Sequence, residues 1–269
     1  MTAKPASLGR VLIIAGSDSG GGAGIQADIK TITALGGYAA TAVTAITVQN
    51  TLGVFGVHPI PAAVVAAQGR AVVDDIGADA IKTGMLGDAA TVEAAAALID
   101  HAGVPAVIDP VMVATSGDIL VGPEAAAAIT RLLIPRAALL TPNAPEAAAL
   151  TRLATETTND LRRAGEALLR LGARAVLMKG GHIAGDTVTD VLMTPAGETT
   201  FAGPRIDTCH THGTGCTLAS ACAVGLAQGL TLEAAVARAW AYVAEAIRRA
   251  PGYGAGAGPL DHGWPLRGD

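Results

Sequence analysis

Val11-Leu-Ile-Ile-Ala-Gly-Ser-Asp-Ser-Gly-Gly-Gly-Ala-Gly-Ile-Gln-Ala-Asp28 carries the organising pattern of the chain. Val11–Ala15 is a short apolar run that reads as a buried strand. Beyond the glycines, Ile25, Ile29, Ile32 and Leu35 recur at helical spacing over 24–35. Strand, glycine loop and helix in direct succession open a parallel α/β unit. Ligands of open α/β sheets bind where strands end and loops begin. Glycines let the backbone approach a ligand, and a helix N-terminus favours an anion. The loop is not GxxxxGK[ST], and it has a GxGxxG-like spacing only by overlap, so neither standard nucleotide signature applies. The alternative is a flexible strand–helix turn. Asp28, in the first helical turn, reads equally as a carboxylate complementing the helix dipole.

Working outward, the same alternation recurs. Strands are predicted at Tyr38–Val48, Ala80–Lys82, Ala106–Asp109, Ala138–Thr141 and Ala175–Lys179. Helices are predicted from Pro61 to about Val73 and over 89–101, 123–133, 144–151 and Leu161–Leu171. This rhythm indicates an α/β fold with a mostly parallel central sheet and helices on both faces. Val188–Met193 and Thr199–Phe201 predict a small antiparallel section at one edge. Two long helices follow at about 215–229 and 232–249, and the Gly- and Pro-rich tail Pro251–Asp269 reads as loop. With no linker and no repeat, the expectation is one domain over 1–269, with 1–9 and 263–269 as loose termini.

Composition narrows the function classes. The 269 residues are 51% hydrophobic and 15% charged, which excludes disorder as the general state. Net charge is −5 and aromatics are 3%, so the basic, aromatic-lined surface of a nucleic-acid binder is missing. A mean hydropathy of +0.45 raises the question of a membrane. The charge-free stretch Thr208–Leu232 is interrupted by His210, His212, Gln228 and several glycines, so it predicts a buried helix behind a polar loop rather than a span. The run Val11–Ala15 is shorter than a signal-peptide core, and the expected location is the cytoplasm. Cys209, Cys216 and Cys222 form no CxxC pair and predict no disulfide framework.

A second glycine loop, Thr211-His-Gly-Thr-Gly-Cys-Thr217, precedes the long apolar helix. Gly213, Thr214 and Gly215 place backbone N–H groups at a helix start, a hole suited to a phosphoryl group in transfer. Cys216 falls in the first turn, where a thiol pKa can drop from ~8.5 into the ~3.5–7.5 range. Its alternative is a small packing residue. A metal cluster of Cys209, His210, His212 and Cys216 is the other reading, although the spacing is crowded for one. Asp109 closes a parallel strand and is placed to hold Mg²⁺, which commonly uses one or two carboxylates plus substrate phosphates. Asn143 and Glu146 read first as a capping box, a role that leaves room for Mg²⁺ contact. Lys179-Gly-Gly-His182 closes another strand and can meet phosphate.

Seven segments in order resemble one family. They are AGSDSGGGAGIQAD (15–28), TAITVQNT (44–51), KTGML (82–86), DPVM (109–112) with SGD (116–118), LLTPNAPEA (139–147), VLMKGGH (176–182) and THGTGCTLASA (211–221). The chain resembles the hydroxymethylpyrimidine/phosphomethylpyrimidine kinases of thiamine biosynthesis, within the ribokinase-like superfamily. The resemblance implies a Rossmann-like sheet, a homodimer, and ATP-Mg²⁺ phosphorylation of 4-amino-5-hydroxymethyl-2-methylpyrimidine and then of its monophosphate. It implies that Gly16, Asp28, Gln49, Met85, Val111 and Met112 hold the pyrimidine. Asp109 and Glu146 would organise Mg²⁺, and Lys179, Thr211, His212 and Asp190 would face ATP. Gly213, Thr214, Gly215 and Cys216 would form the catalytic loop, with Cys216 as base or positioning group where the wider superfamily carries Asp. His210 and the tail 254–262 depart from the family's pattern. A pyridoxal or pyridoxine kinase is the alternative, and a non-catalytic nucleotide- or vitamin-binding module a more distant one.

Overall fold

The computed structural model of the chain describes residues 8–112 and 121–267. The Ser116–Asp118 segment of the sequence motif lies outside them. Nine strands form one sheet: β1 (Arg10–Ser17), β2 (Tyr38–Asn50), β3 (Gly53–Pro59), β4 (Ala80–Thr83), β5 (Ala106–Ile108), β6 (Ala137–Leu140), β7 (Val176–Met178), β8 (Thr187–Thr194) and β9 (Gly197–Pro204). Their order is β3-β2-β1-β4-β5-β6-β7-β8-β9. The six strands from β2 to β7 are parallel; β3 runs antiparallel to β2, and β8 and β9 continue the sheet antiparallel beyond β7.

Side chains of β1 alternate between two cores, as the period of a strand requires. Leu12 and Ile14 face the layer of α2 (Ala62–Asp75), α3 (Ala89–Ala102), α4 (Pro123–Ala128), α5 (Ala144–Thr151) and α6 (Thr158–Arg170). Val11, Ile13 and Ala15 face α1 (Gly24–Ala34), α7 (Thr214–Ala227) and α8 (Leu232–Arg248). A strand buried on both faces reads as a continuous apolar run, which is how Val11–Ala15 reads. The expected α/β fold is thus the observed one. Among the described residues no helix is long and apolar enough to cross a membrane. Instead, the charge-free stretch becomes α7, a helix with ten of its residues buried.

Three expectations are corrected. Antiparallel pairing occurs at both sheet edges, because Gly53–Pro59 folds back on β2 through Thr51 and Leu52. That strand contains two glycines and a proline and turns Phe55 and Val57 outward, so it lacks the inward alternation that marks a strand. The predicted helix 123–133 is α-helical only to Ala128 and then widens into a π-turn over Ile129–Leu133 and a 3₁₀ turn over Ile134–Arg136. Pro135 lacks an N–H and its ring crowds the carbonyl four residues back, which accounts for the loosened end. Finally, 263–267 is not loose. Trp264 stacks at 5.9 Å from Tyr242 and donates from its indole N–H to the Tyr242 carbonyl.

The chain turns to opposite sides of β1 to form β2 and β4. This reversal opens a crevice at the carboxyl ends of the parallel strands. Both glycine loops end there.

Candidate active site

A cavity of about 790 Å³ occupies that crevice. Its walls come from the ends of β1, β2, β4, β5 and β7, from the starts of α5 and α7, and from one face of α8.

The first loop is organised by Asp18, which sequence reasoning did not single out. Its buried carboxylate accepts from the N–H groups of Gly20 (2.8 Å), Gly22 (3.0 Å) and Ala23 (2.8 Å), and from His212 Nε2 (2.9 Å). Burial opposes the charge, but the His212 bond and the amides outweigh it and hold the carboxyl below its ordinary range. Two glycine loops nearly two hundred residues apart thereby become one structure. Gly213 sits at φ +85, and a Cβ there would lie 1.8 Å from the Gly22 carbonyl oxygen, so only glycine fits.

On the β1–β2 side, Gly16, Gln49, Met85, Val111 and Met112 all line the cavity. A Cβ on Gly16 would lie 2.4 Å from Met85 Cε, so the thioether lies directly over that glycine. The Met85 carbonyl accepts from Thr44 Oγ1 at 2.7 Å. Asp28 is different. It is fully buried beneath the cavity, accepting from Lys82 Nζ at 2.8 and 2.9 Å and from Ser220 Oγ at 2.7 Å. Its oxygens are committed, and the residue that reaches the cavity is Lys82. Burial alone would lower the lysine pKa, but the charge of Asp28 holds it above its usual value. A lysine inside the apolar strand Ala80–Thr83 is the sequence signal that could have marked it.

His212 also differs from expectation. Its ring lies between Asp18 and Gln49 on this same side, with Nε2 3.3 Å from Gln49 Nε2, rather than beside Lys179.

The opposite side is built around Lys179. Its ammonium lies 3.0 Å from Asp109 Oδ1 and 3.9 Å from Glu146 Oε2. Thr141 Oγ1 also donates to Asp109 Oδ1, at 3.0 Å. Glu146 completes the predicted capping box: the Asn143 N–H donates to its Oε2, and its own N–H donates to Asn143 Oδ1, each at 2.8 Å. Burial and the nearby Asp109 push its carboxyl up to about 7, with Lys179 pulling the other way. Asp190 lines the cavity and caps the turn after β7, accepting from the Gly180 N–H at 2.7 Å. Burial raises it to about 6.

The start of α7 closes the gap between the two sides. Thr211, Gly213, Thr214, Gly215 and Cys216 line the cavity, and the first-turn N–H groups of a helix have no intrahelical partner. The prediction of an acidic thiol is corrected. Burial pushes Cys216 up to about 11, although Lys82 pulls it down; Asp28 and Asp109 add to the rise. The helix start does not offset desolvation beside two carboxylates, so the thiol is neutral at pH 7. No group of three or more His, Cys, Asp or Glu suited to a metal occurs among the described residues, which removes the Cys209/His210/His212/Cys216 reading.

Sequence reasoning missed an apolar wall. Trp240, Val243, Ala244 and Ile247 of α8 face Val188, Pro204 and Ile206 across the cavity. A flat aromatic base fits such a slot. The tail 254–262, which departs from the family's pattern, does not line this cavity. The His212 N–H donates to the Gly258 carbonyl, and a Cβ on Gly256 would overlap the Thr51 backbone.

Comparison with known proteins agrees with this geometry. The family described as phosphomethylpyrimidine kinase matches residues 18–261. A hydroxymethylpyrimidine/phosphomethylpyrimidine kinase of Streptomyces coelicolor is 50% identical over 256 residues, 95% of each chain. Among solved structures, an ADP complex of Bacillus subtilis pyridoxal kinase superposes with a TM-score of 0.90 at 36% identity, covering 98% of this chain and 100% of the other. A phosphomethylpyrimidine kinase from Clostridium difficile superposes at 0.79 with 39% identity, covering 88% and 99%.

Proposed function

Because the chain belongs to the phosphomethylpyrimidine kinase family, we propose that its cavity carries out both phosphorylations of thiamine-pathway pyrimidine synthesis. ATP first phosphorylates the hydroxymethyl group of 4-amino-5-hydroxymethyl-2-methylpyrimidine. A second ATP then extends the monophosphate to the diphosphate. The single observation that carries this reading is the junction of a polar ring-binding wall and an apolar base-binding wall at one helix N-terminus.

In this reading the pyrimidine lies against Gly16, Gln49, Met85, Val111 and Met112. The adenine lies in the α8 slot. The γ-phosphate sits over Gly213–Cys216, where the helix dipole and N–H groups stabilise its equatorial oxygens. Lys179 neutralises charge beside it, and Lys82 lies where a phosphorylated acceptor would bring a second anion. Phosphoryl transfer depends mainly on positioning and charge stabilisation. The neutral Cys216 thiol therefore orients the acceptor hydroxyl rather than removing its proton beforehand. Asp109 and Glu146 fit Mg²⁺: both are hard oxygen donors, both face the cavity, and two carboxylates plus phosphates and water are its usual set. When bound, the ion supplies charge neutralisation between the phosphates. The α8 slot gives a measurable consequence. Trp240→Ala is expected to raise KM for ATP roughly tenfold, consistent with the ~1–3 kcal/mol of a stacked base, and to leave KM for the pyrimidine within about twofold. Steady-state kinetics with each substrate varied in turn check this.

Two further assignments belong to this reading. Ile46, Val48, Leu52, Phe55 and Val57 are exposed together on the β2–β3 hairpin, and a homodimer would cover them. Light scattering is expected to give twice the mass of the chain. The three cysteines are free, which suits the reducing cytoplasm.

The deciding experiment supplies ATP-Mg²⁺ with the pyrimidine alcohol, its monophosphate, or pyridoxal, and follows products by mass. Diphosphate from the monophosphate, abolished by EDTA and restored by excess Mg²⁺, is the expected result. The pyridoxal arm is needed because a pyridoxal kinase shares this fold closely. Phosphate on pyridoxal alone would overturn the substrate assignment.

A further inference from the structure

The segment Gly258–His262 does not line the cavity, yet it is tied to the elements that form the cavity's helix start. The Gly258 carbonyl accepts from the His212 N–H at 3.1 Å, and Pro259 pairs with His212 in a parallel bridge. Leu260 is buried in the core shared by α1, α7 and α8. The Asp261 N–H donates to the Ala246 carbonyl at 3.0 Å, and the His262 carbonyl accepts from Tyr242 Oη at 2.6 Å. Held in this way, the buried His262 ring meets α7 at Thr217, with Nε2 3.0 Å from Oγ1. Thr217 in turn donates twice to the Gly213 carbonyl, from its N–H at 2.9 Å and from Oγ1 at 2.8 Å. Threonine hydroxyls do bond back to the carbonyl four residues earlier. Here that carbonyl belongs to the N-cap of α7. The same peptide is held at its other end, where the Thr214 N–H donates to the Thr211 carbonyl at 3.2 Å. A peptide is planar, so the Gly213–Thr214 unit is fixed at both ends. Its plane sets the direction in which the next N–H groups, those of Gly215 and Cys216, leave the helix.

We propose that His262, acting through Thr217, is a positioning residue for phosphoryl transfer: it fixes the Gly213–Thr214 peptide and so aims the N–H groups of Gly215 and Cys216 at the transferring phosphate. The proposal rests on the kinase reading above, which puts that phosphate over Gly213–Cys216. Gly213 and Gly215 have no side chains with which to hold their own conformation, and glycine is the most permissive residue of the backbone. The support comes from outside the loop, from a residue 45 positions further along the chain. The ring does not line the cavity, so its effect passes through Thr217. Burial pushes the imidazole down to about 4, with Lys30 adding to the fall and Asp261 opposing it. At pH 7 it is neutral, and it acts by hydrogen bonding rather than as a cation for phosphate. A hole of fixed N–H groups serves the transition state, where charge gathers on the equatorial oxygens, more than it serves the bound substrates. Releasing the peptide therefore lowers kcat and leaves KM nearly in place.

The test is steady-state kinetics of His262→Leu, His262→Gln, Thr217→Val and the double variant Thr217→Val/His262→Leu. His262→Leu and Thr217→Val are each expected to lower kcat roughly ten- to a hundredfold, the order of loss that a small misplacement produces. KM for ATP and for the pyrimidine is expected to stay within about threefold of wild type. His262→Gln, whose amide can reach the place of Nε2, is expected to regain most of the rate. Because the two residues act in series, the double variant is expected to fall no further than the worse single variant. A purely structural role lowers the melting temperature without producing this pattern. A kcat within about twofold of wild type in both single variants overturns the proposal, as do losses that multiply in the double variant. If His262→Leu does not fold, Thr217→Val against Thr217→Ser decides the matter, since serine keeps the hydroxyl and is expected to keep the rate. Should wild type phosphorylate neither the pyrimidines nor pyridoxal, the kinase reading fails, and the positioning is judged by amide hydrogen exchange in Thr217→Val. Faster exchange confined to residues 213–217 supports it; unchanged exchange there, or an equal rise along α8, overturns it.

Discussion

Gly215→Val is expected to lower kcat roughly 10³-fold, whereas Cys216→Ala lowers it about tenfold or less. Removing one donor from a transition-state anion hole commonly costs ~10²–10³ in rate, and the valine does more than that. Its Cβ would stand 3.1 Å from Lys179 Nζ and 3.7 Å from Asp109 Oδ2, so its methyl groups would enter the space assigned to the transferring phosphate. Gly215 has no left-handed φ to protect, so the fold is expected to survive, with a melting temperature close to wild type. Cys216 is a neutral thiol in this setting, and its loss leaves the N–H groups in place. Single-turnover rates of the two variants check the ordering. Equal losses would show that the thiol, not the helix start, dominates the chemistry.

The second large effect concerns stability. Asp28→Asn is expected to destabilise the protein by about 3–5 kcal/mol, the usual result of removing one partner from a buried ion pair. Lys82 and Asp28 are both fully buried and bonded at 2.8 Å, so an amide in place of the carboxylate leaves a buried ammonium without its counter-charge. The double variant Asp28→Leu/Lys82→Met removes both charges and is expected to regain most of the loss, because apolar replacements of buried pairs are often neutral or stabilising. Urea denaturation of the three proteins measures this. The double variant also separates two roles of Lys82, since it can be stable and still lack the cation that lines the cavity.

These two predictions mark where local pattern stops being informative. The strands of the parallel sheet were legible because each is apolar on both faces, and the loops because glycine clusters lie between a strand and a helix. Asp28 read as a cavity residue because its motif surrounds the loop. Its partner Lys82 stands 54 positions away on the far side of β1, and no local pattern reports such a pairing. The Cys216 thiol read as acidic because a helix start alone favours a thiolate; burial in the folded site reverses this, and the carboxylates of Asp28 in α1 and Asp109 just after β5 add to the rise. Trp240, Val243 and Ile247 stand at the spacing of one helix face within the predicted helix 232–249. A stripe that packs against a core and one that lines a slot have the same spacing, and only the tertiary fold separates them. His212 read as a phosphate contact because it stands in the glycine loop, but its ring turns back to Asp18.

The seam between Gly22 and Gly213 has a consequence for synthesis of the protein. A nascent chain released as far as Pro204 has all nine strands, and nothing yet to receive a phosphate. The hole appears only when the last quarter of the chain folds back and docks against the first loop. Contacts of such long sequence separation form late and slowly. A chain terminated at Pro204 lacks the α7 start and the α8 wall, and is expected to show no phosphoryl transfer, which an assay of the fragment checks.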